Sequence, residues 1–459
     1  MNNNLTIDSD PFETAYRASR RYMNGLDERN IMPDKAALDA LKMLHEKLPR
    51  TSTSSKAVID RLDEIGGAAT VSTTGGRFFG FVVGGALPVS IAASWLASTW
   101  DQNAGSWLLS PVSGELEVVA GAWLLELLDL PRDAAFGFVT GATMATYSSI
   151  AAARASLLKR QGYNVKKLGL AGAPRLRVVT SEETHPTNVA SLGYAGIGLD
   201  QIEYCPVDDQ GRIIPEKMPK LDPLTIVMLQ AGNINSGSFD DFGTVCQMAR
   251  AAGAWVHVDG AFGLWARASQ TVAHLTNGIE LADSWSVDGH KWLNLTQDSA
   301  VYFCRDKEAV NDVFGVEATY LMKDENRQPN HFTPELSRRA RGIEFWAALK
   351  ALGAEGVEAI IDKSCSHAQT FAEGLNAAGY KILNDVVLNQ VVFIAENEPH
   401  TRRAMEYIQN SGRVWLGPTH WKEKYAMRIS VSSAATTDAD IQESLMIMGK
   451  AFEATKDDR

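Results

Sequence analysis

The chain has 459 residues, and 44 Lys and Arg against 55 Asp and Glu leave a net charge of −11. No basic stripe interrupts that acidic balance, so nucleic acid is excluded as an expected partner. A 45% apolar share fits a globular chain with a large core. Four scattered cysteines (Cys205, Cys246, Cys304, Cys365), without metal-ligand spacing, suit a reducing, cytoplasmic compartment rather than a secreted, disulfide-stapled chain.

The opening MNNNLTIDSD is polar and acidic, unlike a signal peptide. Leu38, Leu41, Leu44 and Leu48 recur at helical spacing and predict an amphipathic helix, which Pro49 and the Thr/Ser cluster at 51–55 end. Residues 1–63 thus read as a helical arm with little core of its own, suited to packing on another surface such as a second subunit. From Phe78 to Trp100 no residue is charged, a length that a membrane span would need. Gly80, Gly84, Gly85 and Pro88 interrupt the run, and Ser90, Ser94 and Ser98 follow at helical spacing. The better reading is a loop entering a buried helix, with no membrane involved.

Residues 64–345 alternate helices with short apolar runs. The strands predicted are Leu176–Thr180, Leu224–Gln230, Trp255–Asp259, Ser284–Val287 and Ala300–Cys304, with an earlier run at Phe136–Val139. The helices between them include Ala142–Gln161, Thr187–Tyr194 and Phe242–Ala252. This rhythm implies a mainly parallel, covered sheet, in which ligands gather at the carboxyl ends of strands. Residues 346–459 read as a small α+β domain. It holds a helix through Ala347–Leu352, strands near Val391–Ala395 and Met427–Val431, and a last helix from the Thr436–Asp440 cap to about Ala454.

The strand ends carry the chemistry. Asp259 closes one apolar run, and Lys291 follows the next in Ser286-Val287-Asp288-Gly289-His290-Lys291-Trp292, 291 − 259 = 32 residues later. A lysine amine can form a Schiff base with an aldehyde cofactor, and an acid can keep a pyridine nitrogen protonated. Pyridoxal 5'-phosphate (PLP) enzymes require that pair. Either residue alone would read as an ordinary strand-end acid or exposed lysine. Thr140-Gly141-Ala142-Thr143 opens a helix where small residues and free N–H groups suit a phosphate. Thr140, Thr143 and, through a water or a donor, Asp288 could add contacts; a plain capped helix is the alternative. His185, just past Leu176–Thr180, can stack on a flat ring and reach a carboxylate, or merely be a surface histidine at a helix start that Thr184 caps and whose first turn Pro186 suits. Ala231–Asp240 either lines a ring hydroxyl, through Asn233 among others, or is a turn-rich loop.

Arg77–Phe81, Thr140–Arg154, Gly232–Asp240, His257–Ala261 and Asp288–Trp292 follow in an order and spacing that resemble the group II PLP-dependent amino acid decarboxylases. Ser337–Arg341 and Ala426–Ile429 extend the likeness over nearly the whole chain from about residue 60. The resemblance implies the fold-type-I architecture of the aspartate aminotransferase superfamily. That is an α/β fold with a seven-stranded, mainly parallel sheet covered by helices, an N-terminal helical arm and a small C-terminal α+β domain. It also implies PLP, a homodimer with the site near the subunit interface, and decarboxylation of an L-amino acid to the amine and carbon dioxide. Lys291 then resembles the lysine that carries the cofactor, Asp259 the pyridinium partner and His185 the stacking histidine. Ala142, Thr143 and His290 fall where the family contacts phosphate. Tyr320 resembles the tyrosine of the family's mobile loop that returns a proton to the α-carbon. The chain departs from the family at Asp288-Gly289, where Asn-Pro is usual. It departs again at Gly260, where Ala is usual, and at Ile234, where a threonine is expected.

The substrate side offers Phe81, Val82, Asn103 and Trp107, with Trp265 either core or pocket. Arg428 is a candidate for the substrate carboxylate. An arginine that held the carboxylate in the ring plane would expose the Cα–H bond instead, so transamination or another Cα–H or side-chain reaction is the competing expectation.

Overall fold

The computed structural model describes residues 10–315 and 326–456. Its central sheet has seven strands: β1 (Ala135–Val139), β2 (Arg177–Ser181), β3 (Ile202–Cys205), β4 (Thr225–Gln230), β5 (Trp255–Asp259), β6 (Ser284–Asp288) and β7 (Ala300–Cys304). Their spatial order is β1-β7-β6-β5-β4-β2-β3. Strands β2 to β6 pair in parallel, whereas β7 runs antiparallel to both β6 and β1. Residues β4 and β7 are buried throughout, as expected where both faces of a sheet are covered.

Alternation along the strands divides the core into two layers. Val178, Ile226 and Trp255 point to one side, against Ile150 and Leu157 of helix Ala142–Arg160 and Leu192 of helix Pro186–Tyr194. Val179, Val227 and Val256 point to the other, against Leu124 of helix Pro111–Leu127 and Val245 of helix Phe242–Ala252. The expected fold class is the one observed.

A second, antiparallel sheet comprises β8 (Lys381–Ile382), β9 (Gln390–Ile394), β10 (Gly417–Trp421) and β11 (Lys424–Ser430), in the order β10-β11-β9-β8. Phe371, Tyr380, Phe393, Met427 and Phe452 fill its core. The helix Gly342–Ala377 runs from the first sheet to the second and is broken at Gly353, whose φ of 62° lies in the left-handed region.

The N-terminal arm differs in detail from its sequence pattern. Helix Lys35–Ala40 tightens into a 3-10 turn, Leu41–Leu44, and stops there. Leu48 lies beyond it, 93% exposed, so periodicity alone did not extend a helix that has nothing to pack on in this chain. The uncharged stretch does form a loop and then helix Pro88–Trp100. That helix is not buried all round: Ser90, Ala93 and Ala97 face inward, while Trp95, Leu96 and Trp100 are exposed. Among the described residues no helix is long and apolar enough to cross a membrane.

Candidate active site

The carboxyl ends of β1 and β6 meet because β7 lies between them, pointing the other way. Ala300 is the register partner of both Val139 and Asp288. The helix beginning at Ala142 therefore starts beside the turn that follows β6. Its cap residue, Gly141, has no side chain to occupy the free N–H groups. A methyl group built on Gly141 would stand 3.6 Å from Cε1 of His290 and 3.9 Å from Oδ1 of Asp288. Asp288 is only 2% exposed. Its Oδ1 accepts from the Ala142 N–H at 2.6 Å, and its Oδ2 lies 3.2 Å from Nζ of Lys291 and 3.8 Å from Nε2 of His290. The Ser299 N–H donates to Nδ1 of His290 at 3.2 Å, so Nε2 carries the ring proton and faces the acid.

Asp259 ends β5, in register with Ser286 of β6 and Gln230 of β4. Its Oδ2 accepts from Nδ2 of Asn188 at 2.9 Å and its Oδ1 from the Ala261 N–H at 3.1 Å. His185, not Thr184, caps the helix Pro186–Tyr194: its Nδ1 accepts from the Thr187 N–H at 3.2 Å and pairs with Thr187 Oγ1 at 2.6 Å. The other ring nitrogen, Nε2, is left with the proton. Burial pushes the imidazole below its ordinary pKa; Asp259 opposes that, Lys291 and Arg428 add to it, and Asp288 opposes it again. A neutral, flat ring thus sits among four charged groups that arrive from different elements. Arg428, on β11, donates from Nη1 to the Ile234 carbonyl at 2.7 Å, and burial lowers its guanidinium to about 10.

The backbone of Lys291 is gripped from outside. A Cβ added to Gly84 would fall 1.5 Å from the Lys291 carbonyl oxygen. The Leu87 N–H donates to the Asn294 carbonyl at 2.8 Å. Asn294 in turn donates to the carbonyls of Trp292 (2.8 Å) and Ser432 (3.0 Å) and accepts from the Ala434 N–H (2.8 Å). Phe81, 69% exposed, stacks on Trp415 at 5.3 Å, and Phe78 stacks on the same indole at 4.8 Å.

The structure thus brings together Asp259, Lys291, His185, Asp288, His290, Ala142 and Arg428, with Thr140 and Thr143 flanking the helix start. Other expected residues are committed elsewhere in the chain. Asn103 accepts from the N–H groups of Gly105 and Arg338 and donates to Ser337. Asn233 donates to Glu183 and accepts from the N–H groups of Asn235 and Ser236, so its amide shapes its own loop. Trp107 donates to Gln328 and Glu115. Trp265 is core: it is 1% exposed and its indole N–H donates to the Asp288 carbonyl at 2.9 Å. Tyr320 lies outside the described residues. Sequence reading missed Asn188 and Asn294, and it took Gly84 only as a break in the uncharged run. Asn188 was within reach of it, being one helical turn after His185; nothing local marks Asn294.

These groups fit PLP. The acid suits a pyridinium, the imidazole a ring face and the amine an aldehyde. The Ala142 N–H already donates to an anionic oxygen, as it would to a phosphate. The chain matches the pyridoxal-dependent decarboxylase conserved domain over residues 39–396. It is 28% identical over 371 residues to an aromatic-L-amino-acid decarboxylase of Drosophila lebanonensis, covering 74% of this chain and 89% of the relative. An enzyme of the same name from Bacillus atrophaeus is 23% identical over 483 residues, covering 99% of this chain and 98% of that one. Among solved structures, Oryza sativa TDC with PLP and tryptamine superposes with a TM-score of 0.90 at 20% identity, covering 98% and 99% of the two chains. The chain therefore belongs to the group II family of pyridoxal-dependent decarboxylases and is a PLP-dependent carboxy-lyase that converts an L-amino acid to its amine and carbon dioxide.

Proposed function

We propose that the substrate is an aromatic L-amino acid. The observation that carries this reading is the Phe78–Trp415–Phe81 stack, which leads through Gly84 into the backbone of Lys291. The names of the curated relatives agree with it. In this proposal Lys291 carries the cofactor, and Asp259, braced by Asn188 and the Ala261 N–H, keeps its ring nitrogen protonated. His185 would cover one face of that ring. Ala142, Thr143 and His290 hold the phosphate. When bound, PLP supplies the electron sink for the pair left at Cα as carbon dioxide departs. The protein's task is orientation, because the bond that breaks is the one perpendicular to the ring. Arg428, whose Nη1 donates to the Ile234 carbonyl, would hold the substrate carboxylate, and Tyr320 would return a proton to Cα.

The same proposal places the chain in a cytoplasmic homodimer. Trp95, Leu96, Trp100, Leu108 and Leu109 expose an apolar surface suited to a second copy. Asn103 and Trp107 lie between these segments, and a second copy seated there would bring them to its partner's site. It also divides the chain into an arm (1–63), a cofactor-binding part (64–345) and a small part (346–459).

Purified protein supplied with PLP and a mixture of L-amino acids tests the reading. Aromatic amines and stoichiometric carbon dioxide are expected, and none of either from Lys291→Ala. Keto acids in place of carbon dioxide, or amines from acidic substrates alone, would overturn it.

A further inference from the structure

The helix that starts at Ala142 already has an anion at its N-terminus, and that anion belongs to the chain. Asp288 accepts from the Ala142 N–H through one oxygen and lies 3.2 Å from the Lys291 amine through the other, with Nε2 of His290 at 3.8 Å. The acid is 2% exposed. Each group it touches is one that the proposed site offers to the cofactor: the N–H and the imidazole to the phosphate, the amine to the aldehyde carbon. An ionised carboxylate only accepts hydrogen bonds, and a phosphate dianion does the same. Two such anions at contact distance repel, strongly so where water is excluded. The family's usual asparagine at this position could instead donate to a phosphate.

We propose that Asp288 is a resident counter-anion of the phosphate cradle, which takes up a proton when the phosphate arrives. Asp288 neutralises the helix start and pairs with Lys291. Arrival of the phosphate converts its carboxylate to the acid by uptake of one proton, and the new O–H then donates to a phosphate oxygen. Lys291 loses its ionised partner in the same event and is released to turn toward the aldehyde; its own ammonium proton goes to solvent only in the later reaction with that aldehyde, so phosphate arrival alone takes up one proton. Phosphate arrival and release of the amine are therefore coupled through one side chain. The charged and titratable groups around Asp288 are Lys291 and His290 from its own turn. His185 also interacts electrostatically with it, and Asp259, Lys291 and Arg428 act on the same imidazole.

This inference rests on the functional reading that places the phosphate at Gly141–Thr143. Pyridoxamine 5'-phosphate, which has the phosphate but no aldehyde, isolates the effect from bond formation with Lys291. It is titrated into cofactor-stripped full-length protein and into Asp288→Asn, with affinity read by tryptophan fluorescence from about pH 7 to 8.5, where the phosphate is dianionic. Calorimetry in two buffers of different ionisation enthalpy counts the protons. The variant is expected to bind about tenfold more tightly at the alkaline end, with a flatter pH profile. Wild type is expected to take up close to one proton more per ligand. Equal affinity, slope and proton count in the two proteins overturn the proposal. Should Asp288→Asn fail to fold, Asp288→Ser supplies the same comparison under the same criteria. A Lys291→Ala control separates the two layers. If that variant still shows the visible absorbance of lysine-bound PLP, the functional reading fails and this inference with it. If the absorbance is lost while the Asp288 variants match wild type, this inference alone fails.

Discussion

Gly84→Ala should disable the enzyme without removing any polar group. The added methyl would lie 1.5 Å from the Lys291 carbonyl oxygen and 2.6 Å from its carbonyl carbon, whereas ordinary contact begins at 3.4 Å. A gap of 3.4 − 1.5 = 1.9 Å must therefore open. Neither side yields easily. The turn after Lys291 is tied by Asn294 to Ser432 and Ala434, and the loop is tied by Phe79 to Trp415 and by Leu87 to Asn294. Shared equally, the displacement moves the lysine backbone by about 1 Å, and misplacement on that scale costs about 100-fold in rate. Overpacking adds roughly 1–3 kcal/mol of instability. The expected outcome is a loss of about 100-fold in kcat/KM for decarboxylation, a lower urea midpoint and an unchanged far-ultraviolet circular dichroism spectrum. A variant within about threefold of wild-type kcat/KM would show that the loop does not constrain the lysine, and the reasoning would be wrong.

Three further outcomes follow from named contacts. Asn188→Ala removes the donor to Asp259; a bond to a charged acceptor contributes about 1.5–3 kcal/mol, so kcat should fall at least about tenfold at saturating PLP, and an unchanged kcat would detach Asp259 from the cofactor. Glu117→Gln leaves the buried guanidiniums of Arg338 and Arg327 without their shared acid, and urea unfolding should register a loss of about 3–5 kcal/mol; a change under about 1 kcal/mol would contradict the buried-pair argument. His257, on β5, is pushed by burial down to about 4, below the unfolded value of about 6.5. The unfolded chain therefore binds the extra proton between those values. This contribution to stability is whole above about pH 6.5 and is lost as pH falls toward 4. His257→Gln should flatten the fall in urea midpoint between about pH 7 and 5, and parallel slopes in the two proteins would refute that.

The sheet was legible in the sequence because its strands are short, apolar and bounded by turns. Trp255–Asp259, Ala300–Cys304 and the helix Phe242–Ala252 fall where periodicity placed them. What periodicity lacks is direction: nothing within Ala300–Cys304 says that it runs against its neighbours. The core of the candidate site was legible for a related reason, since Asp259 ends a strand and His185, Ala142 and Lys291 follow strands, and strand ends converge in a covered sheet. Side-chain commitments were not. Asn103 and Asn233 look like free polar groups in sequence, yet their partners include Arg338, 235 residues from Asn103, and Glu183, 50 residues from Asn233. Gly84 read as a break in an apolar run. Its reason is the passage of another backbone against it, which no local pattern encodes.

The reversed strand carries a constraint on chain length. Ala300 is opposite Val139 on one side and Asp288 on the other, so a single residue sets how the helix start and the lysine turn line up. Inserting or deleting one residue between 289 and 299 would slip β7 by one position. Tyr302 and its neighbours would then swap faces in a strand that has no exposed side to receive them. Homologous genes should vary freely in the length of their surface connections while keeping this eleven-residue hairpin, 289–299, free of gaps.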